Sequence, residues 1–106
     1  MNLENNLLLE HNLQTDKTGL PYIIWIDEQG ALRNLPHHQP RLKVKIDECM
    51  IPVTIGDNPV IAAKEIKRFR KSSLVYAWIK LNKHALLDHW YHRINSDALE
   101  RKIVRV

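Results

Sequence analysis

The chain has one cysteine, three glycines and no long apolar run. A lone Cys49 excludes an intramolecular disulfide and every multi-cysteine zinc pattern. Within a strand-like stretch it reads as a small buried apolar residue. Three glycines leave no Gly-rich phosphate loop, and no nucleophile-elbow pattern occurs. No apolar stretch approaches the ~18–20 residues of a membrane span, so a membrane is not expected among its partners. The first fourteen residues carry Glu4 and Glu10 but no Lys or Arg. A secretory signal needs a basic start, a longer apolar stretch and a small-residue cleavage site. The sequence therefore predicts a cytoplasmic protein.

What is present is an uneven charge. The 106 residues suit one domain with a self-supporting core. They carry a net charge of +4. Residues 1–40 hold Lys17 and Arg33 against Glu4, Glu10, Asp16, Asp27 and Glu28, a net of −3. Residues 41–106 hold the other fourteen cations against seven carboxylates, a net of +7. A basic C-terminal portion implies an acidic partner, nucleic acid or protein.

Periodicity divides the chain into strands followed by helices. Residues 1–20 form an N-terminal segment with a short helix expected over 3–12, and 21–106 form a single domain. "YIIWID" (22–27) is β-branched and aromatic, and reads as a buried strand. "ALRNL" (31–35) returns as its hairpin partner through Gly30. "RLKVKID" alternates Arg41, Lys43 and Lys45 with Leu42, Val44 and Ile46. "CMIPVTI" alternates likewise. With Asp47-Glu48 as a two-residue loop, Ile46 faces Cys49, Val44 faces Ile51 and Leu42 faces Val53, and the apolar residues share one face. Pro52 has no N–H and marks an edge strand.

"GDNP" (56–59) then opens a helix over 59–71, capped by Asp57 or Asn58. Its polar side carries Lys64, Lys67, Arg68 and Lys71. Ser72 or Ser73 caps a further helix reaching about residue 94, with a bend at Asn82. Ser96 caps a last short one. Strands before helices give an α+β class: an antiparallel sheet of three to four strands followed by two to three helices packed on one face.

The polar residues support three readings. His37-His38 lie in a proline-bracketed connector. On the last long helix Asp88 and His92 are four apart, and His89 and His92 three apart, a spacing that can share a divalent metal. This spacing is the basis for a small metal-dependent hydrolase or nuclease. No Glu follows the first His as in the zinc-protease motif, and surface histidines are common, so no catalytic residue, metal or cofactor is assigned. The second reading is stronger. Arg41, Lys43 and Lys45 on a strand, with Lys64, Lys67, Arg68, Arg70 and Lys71 on a helix, form a contact surface for an acidic partner if the two faces adjoin. The plain alternative is a solvated basic exterior. A third reading is a structural or oligomerisation protein, a homodimer built on an exposed strand edge near Pro52.

"TGLPYIIWID", "QPRLKVKI", "IPVTIGDNP" and "AWIKLNKHALLDHW" together resemble a family of small bacterial proteins of unknown function. That family ends in a helix with a Leu-Leu-x-x-Trp signature, here Leu86, Leu87 and Trp90. The likeness covers about residues 18–94. It implies a strand–strand–helix layout and a setting in mobile elements or toxin–antitoxin-like pairs, with no established activity. A related group shows histidines where this chain has Arg41 and Lys43, which leaves a basic surface in place of a ligand set.

Overall fold

The computed structural model describes residues 10–33, 39–66 and 68–106. The elements are β1 (Glu10–Leu13), α1 (Thr15–Thr18), β2 (Ile23–Asp27), a 3-10 turn (Gly30–Arg33), β3 (Arg41–Ile46), β4 (Cys49–Thr54), α2 (Ser72–Leu81), α3 (Lys83–Trp90) and α4 (Ser96–Lys102). The fold is α+β. Its four strands form one antiparallel sheet in chain order, β1-β2-β3-β4. None of its helices is long and apolar enough to cross a membrane.

The β3–β4 register follows the alternation of the sequence. Ile46 pairs with Cys49, Val44 with Ile51 and Leu42 with Val53, while Arg41, Lys43 and Lys45 oppose Thr54, Pro52 and Met50. Asp47 takes the left-handed conformation in the loop (φ 52°), which a short polar side chain tolerates. One face of the sheet presents Leu13, Ile24, Ile26, Leu42, Val44, Ile51 and Val53. All of them join Val75, Trp78, Ile79, Leu86 and Leu99 of the helices in a single core. Trp78 is completely buried. The opposite face carries Asn12, Trp25, Lys43 and Pro52 side by side across the four strands.

Four local expectations are overturned. Residues 10–12 belong to β1, not to a helix over 3–12, because β1 pairs with β2 from Glu10↔Asp27 to Leu13↔Ile24; residues 3–9 lie outside the described residues. "ALR" belongs to a 3-10 turn instead of a returning strand. The Asp27 carboxylate starts that turn by accepting from the N–H groups of Gln29 (2.8 Å) and Gly30 (3.1 Å). Cys49 is exposed, because it stands at the hairpin tip beside the loop.

The fourth concerns 59–71, whose described residues form no helix. Val60, Ile61 and Ala62 run along the outer edge of β4 instead. Thr54 N–H donates to Val60 O (2.9 Å), Ala62 N–H to Pro52 O (2.9 Å), and Val53 bridges Ile61. Pro52 has no N–H to leave unpaired on that edge. Its carbonyl and the Thr54 N–H need partners, and the β-branched pair Val60-Ile61 supplies an extended segment that meets them. The strand edge expected to be exposed near Pro52 is thus occupied by the chain itself.

The helices are tied together by Asn82, at the bend between α2 and α3, and it is buried. Its Nδ2 donates to Trp78 O and to Val104 O (both 3.0 Å), and its Oδ1 accepts from Val104 N–H (2.8 Å). The side-chain amide so copies a strand partner and pins the C-terminal tail across the bend. The tail continues until Val106 N–H donates to Thr18 O (3.0 Å). Gly19 (φ 80°) lets it pass, since a Cβ there would lie 2.5 Å from Val106 O.

Asn82→Ala removes three side-chain hydrogen bonds and frees the Val104 N–H and C=O from the bend. We expect a loss of about 2–3 kcal/mol in denaturant unfolding, with faster hydrogen exchange at Val104.

Candidate functional site

The sequence-predicted cations fall into two groups. Arg41, Lys43 and Lys45 point away from the core on β3, Lys43 and Lys45 exposed and Arg41 half-buried. Lys43 is engaged: its Nζ lies 2.8 Å from Glu10 Oε1, reaching across β2. Lys64, Arg68, Arg70 and Lys71 are exposed. They sit in the irregular segment before α2 and not on a helix face, while Lys67 lies outside the described residues. Arg41, Lys45, Lys64, Arg68, Arg70 and Lys71 make no ion pair among the described residues.

Lys45 and the 68–71 segment share an end of the sheet but not a face, while Arg41 stands at the other end of β3. The Tyr22 hydroxyl donates to Arg70 O, and the Tyr22 ring meets Phe69 edge-on with centroids 5.6 Å apart. Tyr22 and Phe69 both pack against the core. The next residue, Ile23, pairs with Lys45 on the opposite face. Trp25, between Asn12 and Lys43, is half-buried, and its shielded indole N–H has no partner among the described residues. Its ring is at most a partial platform for base stacking.

Electrostatically, the 68–71 segment is the more unusual. Residues 66–87 hold six Lys and Arg and no carboxylate. Only Lys83 of the described ones is paired, with Asp57. The hydrogen bond that Lys83 donates, more than its charge, holds the Asp57 carboxyl below its ordinary range. At the amino end of α2 the capping residue is Lys71, left-handed at φ 65°, with no side-chain cap and no acid in the first turn. The expected cap by Ser72 or Ser73 is not made, because both lie inside the helix. Helix N-termini carry partial positive charge and ordinarily attract acids. Here Arg68, Arg70 and Lys71 add to that charge.

The metal candidates do not come together. Asp88 Oδ1 accepts from Arg93 Nη1 (2.9 Å). His92 lies past the end of α3 in a left-handed turn (φ 61°), its Nε2 2.7 Å from Gln29 O. His89 is buried in a different cluster. No group of three His, Cys, Asp or Glu side chains among the described residues is placed to hold a metal. His37 and His38 lie outside the described residues.

The cluster around His89 was not legible in the sequence. His89 Nε2 is 2.9 Å from Ser96 Oγ, and Ser96 Oγ also donates to Glu28 Oε1. His11 on β1 adds Nε2 at 3.2 Å from Glu100 Oε1 and Nδ1 at 3.9 Å from Glu28 Oε1. Ser96 is free to do this because Asn95, not Ser96, caps α4, accepting from Ala98 N–H (2.9 Å). The hydroxyl has one proton, and the carboxylate takes it. Nε2 of neutral His89 must then be the donor to Ser96, which leaves Nδ1 as a bare acceptor, buried and unpartnered. With its proton on Nε2, His89 cannot activate Ser96 as a nucleophile. The cluster instead staples β1, the turn after β2, α3 and α4.

Burial pushes the His89 pKa below its ordinary 6.5, with the Glu28 carboxylate opposing the shift. Below about pH 6.5 the unfolded chain takes up a proton that folded His89 refuses. Stability should fall as pH is lowered from there towards the folded pKa. Thermal unfolding of wild type and His89→Gln between about pH 5 and 8 checks this: the variant should lose part of the acid-side decline. A second expectation concerns α2. Ser73→Asp places an acid in its first turn and should add about 0.3–1 kcal/mol of stability in chemical unfolding.

Comparison with known protein families, curated proteins and solved structures gives no match to this chain.

Proposed function

We propose that the protein is a non-enzymatic binding module whose partner is a nucleic-acid strand, held through its phosphates. The observation that carries the reading is the 66–87 stretch: six cations, no carboxylate, and Arg68, Arg70 and Lys71 unpaired at the positive end of α2. Like charges gathered at a helix N-terminus cost stability, and a bound polyanion offsets that cost. Lys64 extends this group, and Lys45 adds a charge on the far face of the same sheet end; Arg41 stands at the other end of β3. Lys43 contributes less, being already paired with Glu10.

Phosphate contacts of this kind position a strand without reading its bases. The proton placement at His89, which leaves Ser96 without a base, favours a binder over a nuclease. The kinship proposed with the small bacterial family of the Leu-Leu-x-x-Trp helix adds no activity to this reading.

In fluorescence anisotropy with a single-stranded oligonucleotide at low salt, Arg68→Glu with Arg70→Glu should weaken binding at least ~30-fold. Lys43→Glu should cost about threefold or less. Equal losses from the two variants would move the contact to the strand face. No binding by the wild type would end the proposal.

A further inference from the structure

The geometry points to a seat for a single phosphate group at the amino end of α2, in a hollow of about 430 Å³ lined by Arg68, Phe69, Arg70, Lys71, Ser72 and Ser73. The inference deepens the nucleic-acid reading and rests on it for the molecule that carries the phosphate.

Three observations converge. The first is the pair of serines. Ser72 is 7 % exposed, and its hydroxyl makes no hydrogen bond to the described residues. The hydroxyl is not among the enclosed unpartnered atoms, so what little of the residue is accessible includes its oxygen. Helical Cα–Cβ bonds tilt towards the N-terminus, so the Ser72 side chain is directed to the mouth of the hollow it lines. Ser73 stands beside it, exposed.

The second is the backbone. The N–H groups of Ser72, Leu74 and Val75 are taken by Phe69 O and Lys71 O. The Ser73 N–H has no partner among the described residues. A helix amide left open beside two hydroxyls is a donor set for a tetrahedral oxyanion.

The third is charge. Arg68, Arg70 and Lys71 surround these donors, and no carboxylate stands in the first turn. Tyr22 holds the wall in place by binding Arg70 O, which leaves the Arg70 guanidinium free to reach the anion. The ligand is therefore a phosphate group with at least two unesterified or non-bridging oxygens. A strand terminus or a phosphodiester of a nucleic acid meets this, as does a small free phosphate.

The test titrates inorganic phosphate into isotope-labelled protein at constant ionic strength, followed by amide NMR. Saturable shifts centred on Ser72, Ser73 and Leu74, weakened about fivefold or more in Ser72→Ala, support the seat. Ser72→Ala removes an unpartnered hydroxyl, so the fold should tolerate it. The wild-type titration stands on its own should it not. Shifts that rise linearly without saturation, or saturation indifferent to Ser72→Ala and Arg70→Gln, overturn it. A parallel arm compares oligonucleotides ending in 5′-phosphate and 5′-hydroxyl. Saturation by phosphate with no oligonucleotide binding keeps the seat, with a free phosphate compound as ligand, and removes the nucleic-acid reading. Salt-sensitive oligonucleotide binding with no saturable phosphate response removes the seat and keeps that reading.

Discussion

The period-two register of the β3–β4 hairpin is the constraint on which the rest depends. Asp47-Glu48 closes the loop so that Leu42, Val44, Ile51 and Val53 point to one side. A slip of one residue would bury Arg41, Lys43 and Lys45 and expose the apolar set. Burying a single unpaired cation is already prohibitive for a domain stabilised by only about 5–15 kcal/mol. The same register turns the N–H and C=O groups of Thr54 and Pro52 outwards, where Val60 and Ala62 pair with them. That pairing commits 60–62 to an extended path and so sets where the 68–71 segment reaches α2.

Two kinds of polar group result. Inside, His11, Glu28, His89, Ser96 and Glu100 form a network that satisfies most of its members and joins four elements. Outside, Lys64, Arg68, Arg70 and Lys71 have no such partners among the described residues. The contrast matters because composition alone treats both as charge. A group whose hydrogen bonds close within the protein stabilises the fold. A group of like charges around open donors is a place for something else to bind.

The hairpin and the helical part of the core were legible because their signals are local. Alternation fixes faces within a strand, and the bend at Asn82 interrupts a long apolar periodicity. The segment 59–71 departs from its expected helix for the opposite reason. Its lysines and arginines recur at helical spacing, yet the edge of β4 claims Val60 and Ile61, and tertiary pairing outweighs weak propensity. β1 is four residues long and is defined by pairing with β2, not by a pattern of its own. The His89 cluster joins residues 7 to 89 positions apart, so no spacing rule could find it. The α2 amino end was legible only in part. The cations were visible, but the unused serine caps appear only when Lys71 takes the capping position.

The central claim is that phosphates are held by the unpaired cations before α2. The dependence of oligonucleotide affinity on salt tests it most directly. Each phosphate neutralised contributes about −0.7 to the slope of log K against log salt for a single strand. The account predicts a slope of roughly −2 or steeper for the wild type. Replacing Arg68, Arg70 and Lys71 by glutamine should make it shallower by about 2. A slope unchanged by that triple replacement would contradict the account.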